Sequence, residues 1–138
     1  MKTIKIKYMS DNHLEFGSPD PEYYSNDQNL YDIFIIAGDF SNSYHIINML
    51  KTLANKIYPK PLLYVTGNHD YYRSSREIMD RKFQILDSEI KNFHILNHRV
   101  LNIKGINFIG VTGWQTIDDY NQYDYKVNDF KMIKDHKT

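Results

Sequence analysis

Asp11, His13, Asp39, Asn68 and His69 are the residues of this sequence whose types and spacing could do metal chemistry. Asp11 and His13 are two apart, so on extended backbone they point to one side and can grip one ion. Asp39 has two carboxylate oxygens and can bridge two ions, and Asn68 offers an amide oxygen to the second. His69 cannot easily share the ion of its neighbour. It better suits a group that stabilises phosphoryl charge or protonates a leaving oxygen. Two ions about 3.5–4 Å apart can activate a water and clamp both oxygens of an in-line displacement at phosphorus. The chain has no cysteine. Oxygen and imidazole donors without thiolate fit manganese, iron, nickel or zinc.

These residues need elements that bring them together. Ile4, Ile6 and Tyr8 alternate with polar residues as in a strand, and residues 10–29 read as a loop. The run Ile33-Phe34-Ile35-Ile36 predicts a buried strand ending at Gly38-Asp39. Ser41 is a candidate cap for a helix carrying Ile46, Ile47, Leu50, Leu53, Ala54 and Ile57, stopped by Pro59 and Pro61. Leu62 to Val65 predicts a third strand, ending at Thr66-Gly67-Asn68-His69. Ser74 or Ser75 opens a second helix, with Ile78, Met79, Phe83, Ile85 and Leu86 at apolar positions. Short strands follow near 93–96, 100–103 and 107–111, then a polar, aromatic tail with a helical turn or two near 128–134. The order implies an α/β domain: a parallel sheet, added antiparallel pairing and flanking helices. Each candidate motif falls just past the carboxyl end of a strand, where open parallel sheets bind ligands.

The length of 138 residues suits one domain, and 17 basic against 17 acidic residues predict no broad attraction to nucleic acid or acidic membranes. No apolar run approaches the roughly 20 residues of a membrane span. Residues 1–8 lack the apolar stretch of a signal peptide, so a cytoplasmic protein without membrane partners is expected. The abundance of Lys, Asn, Ile and Tyr hints at AT-rich phage or bacterial coding.

Asp11-x-His13, Gly38-Asp39 followed by Asn42, and Gly67-Asn68-His69-Asp70 resemble the ordered signature of the calcineurin-like metallophosphoesterases. The flanking run from Tyr8 to Phe16, the segment Gly110-Val111-Thr112-Gly113-Trp114, and Asn128-Asp129-Phe130 resemble a small bacterial and phage branch of that family. The resemblance implies part of an α-β-β-α sandwich and hydrolysis of phosphate mono- or diesters. Asp11 and His13 would bind a first ion, Asp39 would bridge, Asn68 would bind a second, and His69 would be catalytic. Asn42, Asp70, Tyr71 and Arg73 are assigned to substrate: a phosphorylated small molecule, a nucleotide or nucleic acid. The family's later histidines, including a Gly-His-x-His pair, have no counterpart before Thr138. Three accounts follow: a piece of a longer gene; a short form completed by another chain, a second copy or His136; or a degenerate module that binds without turnover.

Plainer readings stand beside these. Asp11 and Asp39 could each cap a turn after a strand. His45, His94 and His98 read as structural or surface residues, and Trp114 as packing or as a wall beside substrate. Tyr23-Tyr24, Tyr71-Tyr72 and Tyr120 to Tyr125 would cover a core edge or stack on a ring. Arg73 would pair with a phosphate oxygen or sit in solvent.

Overall fold

The structure is a computed structural model that describes residues 3–17, 21–113 and 128–134. Expectations placed on Trp114, on Tyr120 to Tyr125 and on His136 fall outside those residues. The elements are strands β1 (Ile6–Met9), β2 (Ile33–Ala37), β3 (Leu62–Val65), β4 (Phe93–Ile95), β5 (Arg99–Ile103) and β6 (Ile106–Gly110), with helices α1 (Ile46–Ile57), α2 (Arg76–Glu89) and α3 (Asp129–Met132). Strands β1 to β4 form one parallel sheet in sequence order, and β5 and β6 form a separate antiparallel hairpin.

The period-two alternation of β2 and β3 divides the core. Phe34 and Ile36 of β2, with Leu62 and Tyr64 of β3, face the layer that holds Leu50, Leu53 and Ile57 of α1 and Met79, Phe83 and Leu86 of α2. Ile33 of β2 and Leu63 of β3 face the other way and bury Phe108 of β6. The described residues thus form a helical layer, a sheet and a covering hairpin. Each fully buried Leu or Ile contributes about 1.5–3 kcal/mol.

Helix α1 has its expected bounds but a different start. His45 holds the cap position without a side-chain bond, and the Ser41 hydroxyl is buried with no partner among the described residues. A turn through 43–45 separates Ser41 from the helix, so its hydroxyl cannot reach the first free amides. Ser75 does cap α2, accepting from the Ile78 amide at 3.3 Å. The loop after β1 contains single 3-10 turns at Leu14–Phe16, Pro21–Ser25 and Gln28–Leu30.

Two features bring the strand ends together. Gly38 and Gly67 meet backbone to backbone: a Cβ on Gly38 would lie 2.7 Å from the Gly67 nitrogen, and one on Gly67 would overlap the Asp39 carboxylate. Gly38 also has φ +81, where a side chain is strained. The second feature is Asp70, which is fully buried. It accepts from the Tyr64 hydroxyl at 2.5 Å, the Gly67 amide at 2.8 Å and the Phe40 amide at 3.2 Å. One carboxyl thereby ties the interior of β3 to the loops after β2 and β3. Burial pushes its pKa up to about 7, against the pull of the Tyr64 and Gly67 hydrogen bonds.

Gly38→Ala is expected to cost roughly 1–3 kcal/mol of stability from the left-handed backbone and the contact with Gly67; urea unfolding measures it. Asp70 adds a pH-dependent term. Its carboxyl holds a proton in the fold up to about pH 7, whereas the unfolded chain releases it near the ordinary 3.8. Its contribution to stability is therefore greatest below that ordinary value and falls as pH rises through about 7. Urea midpoints taken across that window should fall more steeply with pH in the wild type than in Asp70→Asn, which has nothing to titrate.

Candidate metal centre

The loop after β1 is laid against the loop after β2 by main-chain bonds. Asp11 donates to the Gly38 carbonyl at 3.1 Å, His13 to Asp39 at 2.9 Å and Leu14 to Phe40 at 3.0 Å. The backbone there is not extended. Asp11, His13 and Asp39 are all left-handed, with φ of 53, 47 and 51. Such conformations are uncommon outside glycine and gather at functional sites. The same-side argument from an extended Asp11-x-His13 segment therefore fails in its premise, and the left-handed turns aim the side chains instead.

Three side chains converge: His13, Asp39 and His69 each offer a ligand atom, and these atoms all lie within 4.8 Å of one another. They come from three separate loops, after β1, β2 and β3. Asp39 is half-buried, and its Oδ1 accepts from the His69 amide at 2.9 Å. Burial raises the Asp39 carboxyl above its ordinary range and the charge of Asp11 adds to this, while the His69 amide and the two imidazoles oppose it. The Asp39 carboxylate and the His13 imidazole, partly desolvated and without thiolate, fit a divalent ion of the borderline class, and the His69 ring stands beside them.

Asp11 is exposed and outside that trio, although its charge is felt at Asp39. Asn68 is half-buried; its Nδ2 donates to Asp129 Oδ1 of α3 at 2.7 Å, which leaves the amide oxygen as its ligating atom. His69 belongs to the converging trio. Its ring stacks on Tyr72 with centroids 4.1 Å apart.

Two of the residues assigned to substrate lie in the core. Asp70 is wholly buried and forms the tie described above. Tyr71 is buried too, with its hydroxyl 2.7 Å from Asp80 Oδ1 and 3.0 Å from Thr66 Oγ1. The 3-10 turn His69–Tyr71 turns both side chains into the core and leaves Tyr72 beside His69. Asn42, Arg73 and Tyr72 do share a cavity of about 290 Å³ with His69, Phe16 and Met132. Arg73 is exposed and left-handed, its amide bonded to the Met132 carbonyl at 2.6 Å and its guanidinium 5.7 Å from the Tyr44 ring centre. Burial and the hydrogen bond to Asp129 raise the Tyr72 hydroxyl, so it stays protonated. His94 lies 3.5 Å from Asp87, and His45 and His98 are exposed; none of the three joins the site.

Sequence reasoning missed Glu15. Its Oε1 lies 2.8 Å from His69 Nδ1 and 3.4 Å from His13 Nδ1. Burial works to raise its carboxyl, but hydrogen bonds from His69, its own amide and His13 hold it below the usual range. The available signal was an acid two positions after a candidate histidine ligand.

Among the described residues no helix is long and apolar enough to cross a membrane. The chain is 30% identical over 146 aligned residues to "Uncharacterized protein L509" of Acanthamoeba polyphaga mimivirus, covering 94% of this chain and 51% of that protein. It thus spans about half the length of that curated relative. The profile of the family described as Calcineurin-like phosphoesterase (Metallophos) matches residues 4–137. With a parallel α/β sheet whose strand ends gather a His/Asp group, the chain belongs to the calcineurin-like phosphoesterase family.

Proposed function

We propose that this chain takes part in metal-dependent hydrolysis of phosphate mono- or diesters, with a divalent ion, manganese before iron, nickel or zinc, held at His13 and Asp39. The observation that carries the reading is the convergence of His13, Asp39 and His69 from three strand ends onto one small volume. Asp11 stands beside the same site as a further oxygen donor, and the amide oxygen of Asn68 is the ligand for a second ion. A bound ion supplies Lewis acidity and lowers the pKa of its water.

The rest falls to the chain's own side chains. Asp39 is fixed by the His69 amide, so its position does not depend on rotamer freedom. His69 has its Nδ1 engaged by Glu15 and its face against Tyr72, which leaves Nε2 to meet a phosphoryl or leaving-group oxygen. Arg73, in the cavity shared with His69, offers a guanidinium to a phosphate oxygen. The substrate is a phosphorylated small molecule, a nucleotide or nucleic acid. Mixed polar and aromatic walls around that cavity suit any of these. A second reading, binding without turnover, is favoured by the small ligand set: among the described residues only three His, Asp or Glu side chains converge.

Hydrolysis of bis(4-nitrophenyl) phosphate with added manganese tests the proposal. His69→Ala should lower kcat by about 10²–10⁴-fold while manganese affinity stays close to that of the wild type. Asp39→Asn should lose both. Manganese at 100 times its Kd should stabilise the wild type by about 2.7 kcal/mol and leave Asp39→Asn unchanged, as thermal unfolding reports. Metal binding without hydrolysis above the His69→Ala level would favour the non-catalytic reading.

A further inference from the structure

We infer that Glu15 is a positioning residue that holds both histidines of the site at once, keeping the proton on Nδ1 of each ring so that both Nε2 atoms face the ion and the substrate. The functional consequence rests on the hydrolytic reading above; the structural assignment does not.

A single oxygen, Oε1, reaches His69 Nδ1 at 2.8 Å and His13 Nδ1 at 3.4 Å. A carboxylate oxygen has two acceptor directions, and the imidazoles approach as a pair, their rings edge to face with centroids 4.4 Å apart. The Glu15 side chain is only 7% exposed. Its second oxygen, Oε2, is buried with no partner among the described residues. Removing a carboxylate from water is costly, and an orphaned oxygen adds to the cost. A residue needed only for packing would be apolar, like its neighbour Leu14, which is in the core. What the buried carboxylate gains is the two imidazoles.

Chain geometry makes the arrangement rigid. Glu15 lies in the single 3-10 turn Leu14–Phe16, and His13 is the cap residue of that turn. The carboxylate and the first histidine therefore move together, and the contact to His69 spans 54 positions of sequence. A neutral imidazole left to water favours the proton on Nε2. An acid at Nδ1 reverses that preference and frees Nε2 as ligand or base. Because one oxygen serves both rings, loss of Glu15 disturbs the metal-binding and the proton-transferring histidine in one step.

The test uses the full chain, metal-free and with ¹⁵N-labelled histidine, in mildly alkaline buffer. Long-range ¹H–¹⁵N spectra give the tautomer of each ring, assigned with His13→Gln and His69→Gln. The wild type should show Nδ1–H at both. Glu15→Gln retains an acceptor oxygen and should keep Nδ1–H at His69, whereas Glu15→Leu should return both rings to Nε2–H. Nε2–H in the wild type overturns the inference whether or not the variant folds, and so does an unchanged Nδ1–H pattern in a folded Glu15→Leu. Calorimetry with manganese alone should find affinity 10–100-fold weaker in Glu15→Leu; equal affinity contradicts a role through the metal ligand. If the wild type neither binds manganese nor hydrolyses the diester, the hydrolytic reading fails, and the tautomers still decide the role of Glu15.

Discussion

The carboxyl ends of β2 and β3 lie against each other with no side chain between them, and the Asp39 carboxylate occupies the space so created. This contact depends on glycine at both 38 and 67, because either Cβ would meet backbone or the Asp39 side chain. From it follow the bond from the His69 amide to Asp39 and the nearness of the His69 ring to His13. The loop after β1 then runs beside Gly38, Asp39 and Phe40 through main-chain bonds, which delivers His13 to the same place. Convergence is a property of backbone packing first and of side-chain chemistry second.

Around that contact the fold concentrates groups that are costly in themselves. Asp11, His13, Asp39 and Arg73 sit in left-handed backbone around the site, one carboxyl is buried at Asp70 and another at Glu15. Asp70 acts as a structural tie, with three donors aimed at it. Among the described residues Glu15 has only imidazoles as side-chain partners. The two acids thus divide the work: one holds the loops together, and the other orients the residues those loops present. Strain and buried charge of this kind persist where surrounding packing over-determines them, and here the two apolar layers on either side of the sheet do so.

Much of this was legible in the sequence. Hydrophobic periodicity marked the strand at 62–65 and the helix at 46–57, because long apolar patterns with proline stops leave few alternatives. The position of the site past three strand ends followed from the order of motifs. Side-chain direction was not legible. An extended Asp11-x-His13 and a left-handed one carry the same letters, and only packing against Gly38 to Phe40 decides between them. Tyr71 and Tyr72 are adjacent and alike in type, yet the 3-10 turn sends one into the core and the other to His69. Glu15 was passed over because its partner lies 54 residues away, a contact that no local spacing announces.

The central claim is that His13 and Asp39 share one divalent ion with His69 at its side. Anomalous diffraction at the manganese edge, from crystals of this chain grown with manganese chloride, tests it most directly. The account predicts a peak within about 2.0–2.5 Å of a His13 ring nitrogen and an Asp39 oxygen, bond lengths in the range of divalent ions on nitrogen and oxygen ligands. A peak only elsewhere on the molecule, or none in crystals whose His13, Asp39 and His69 are ordered and close together, would contradict it.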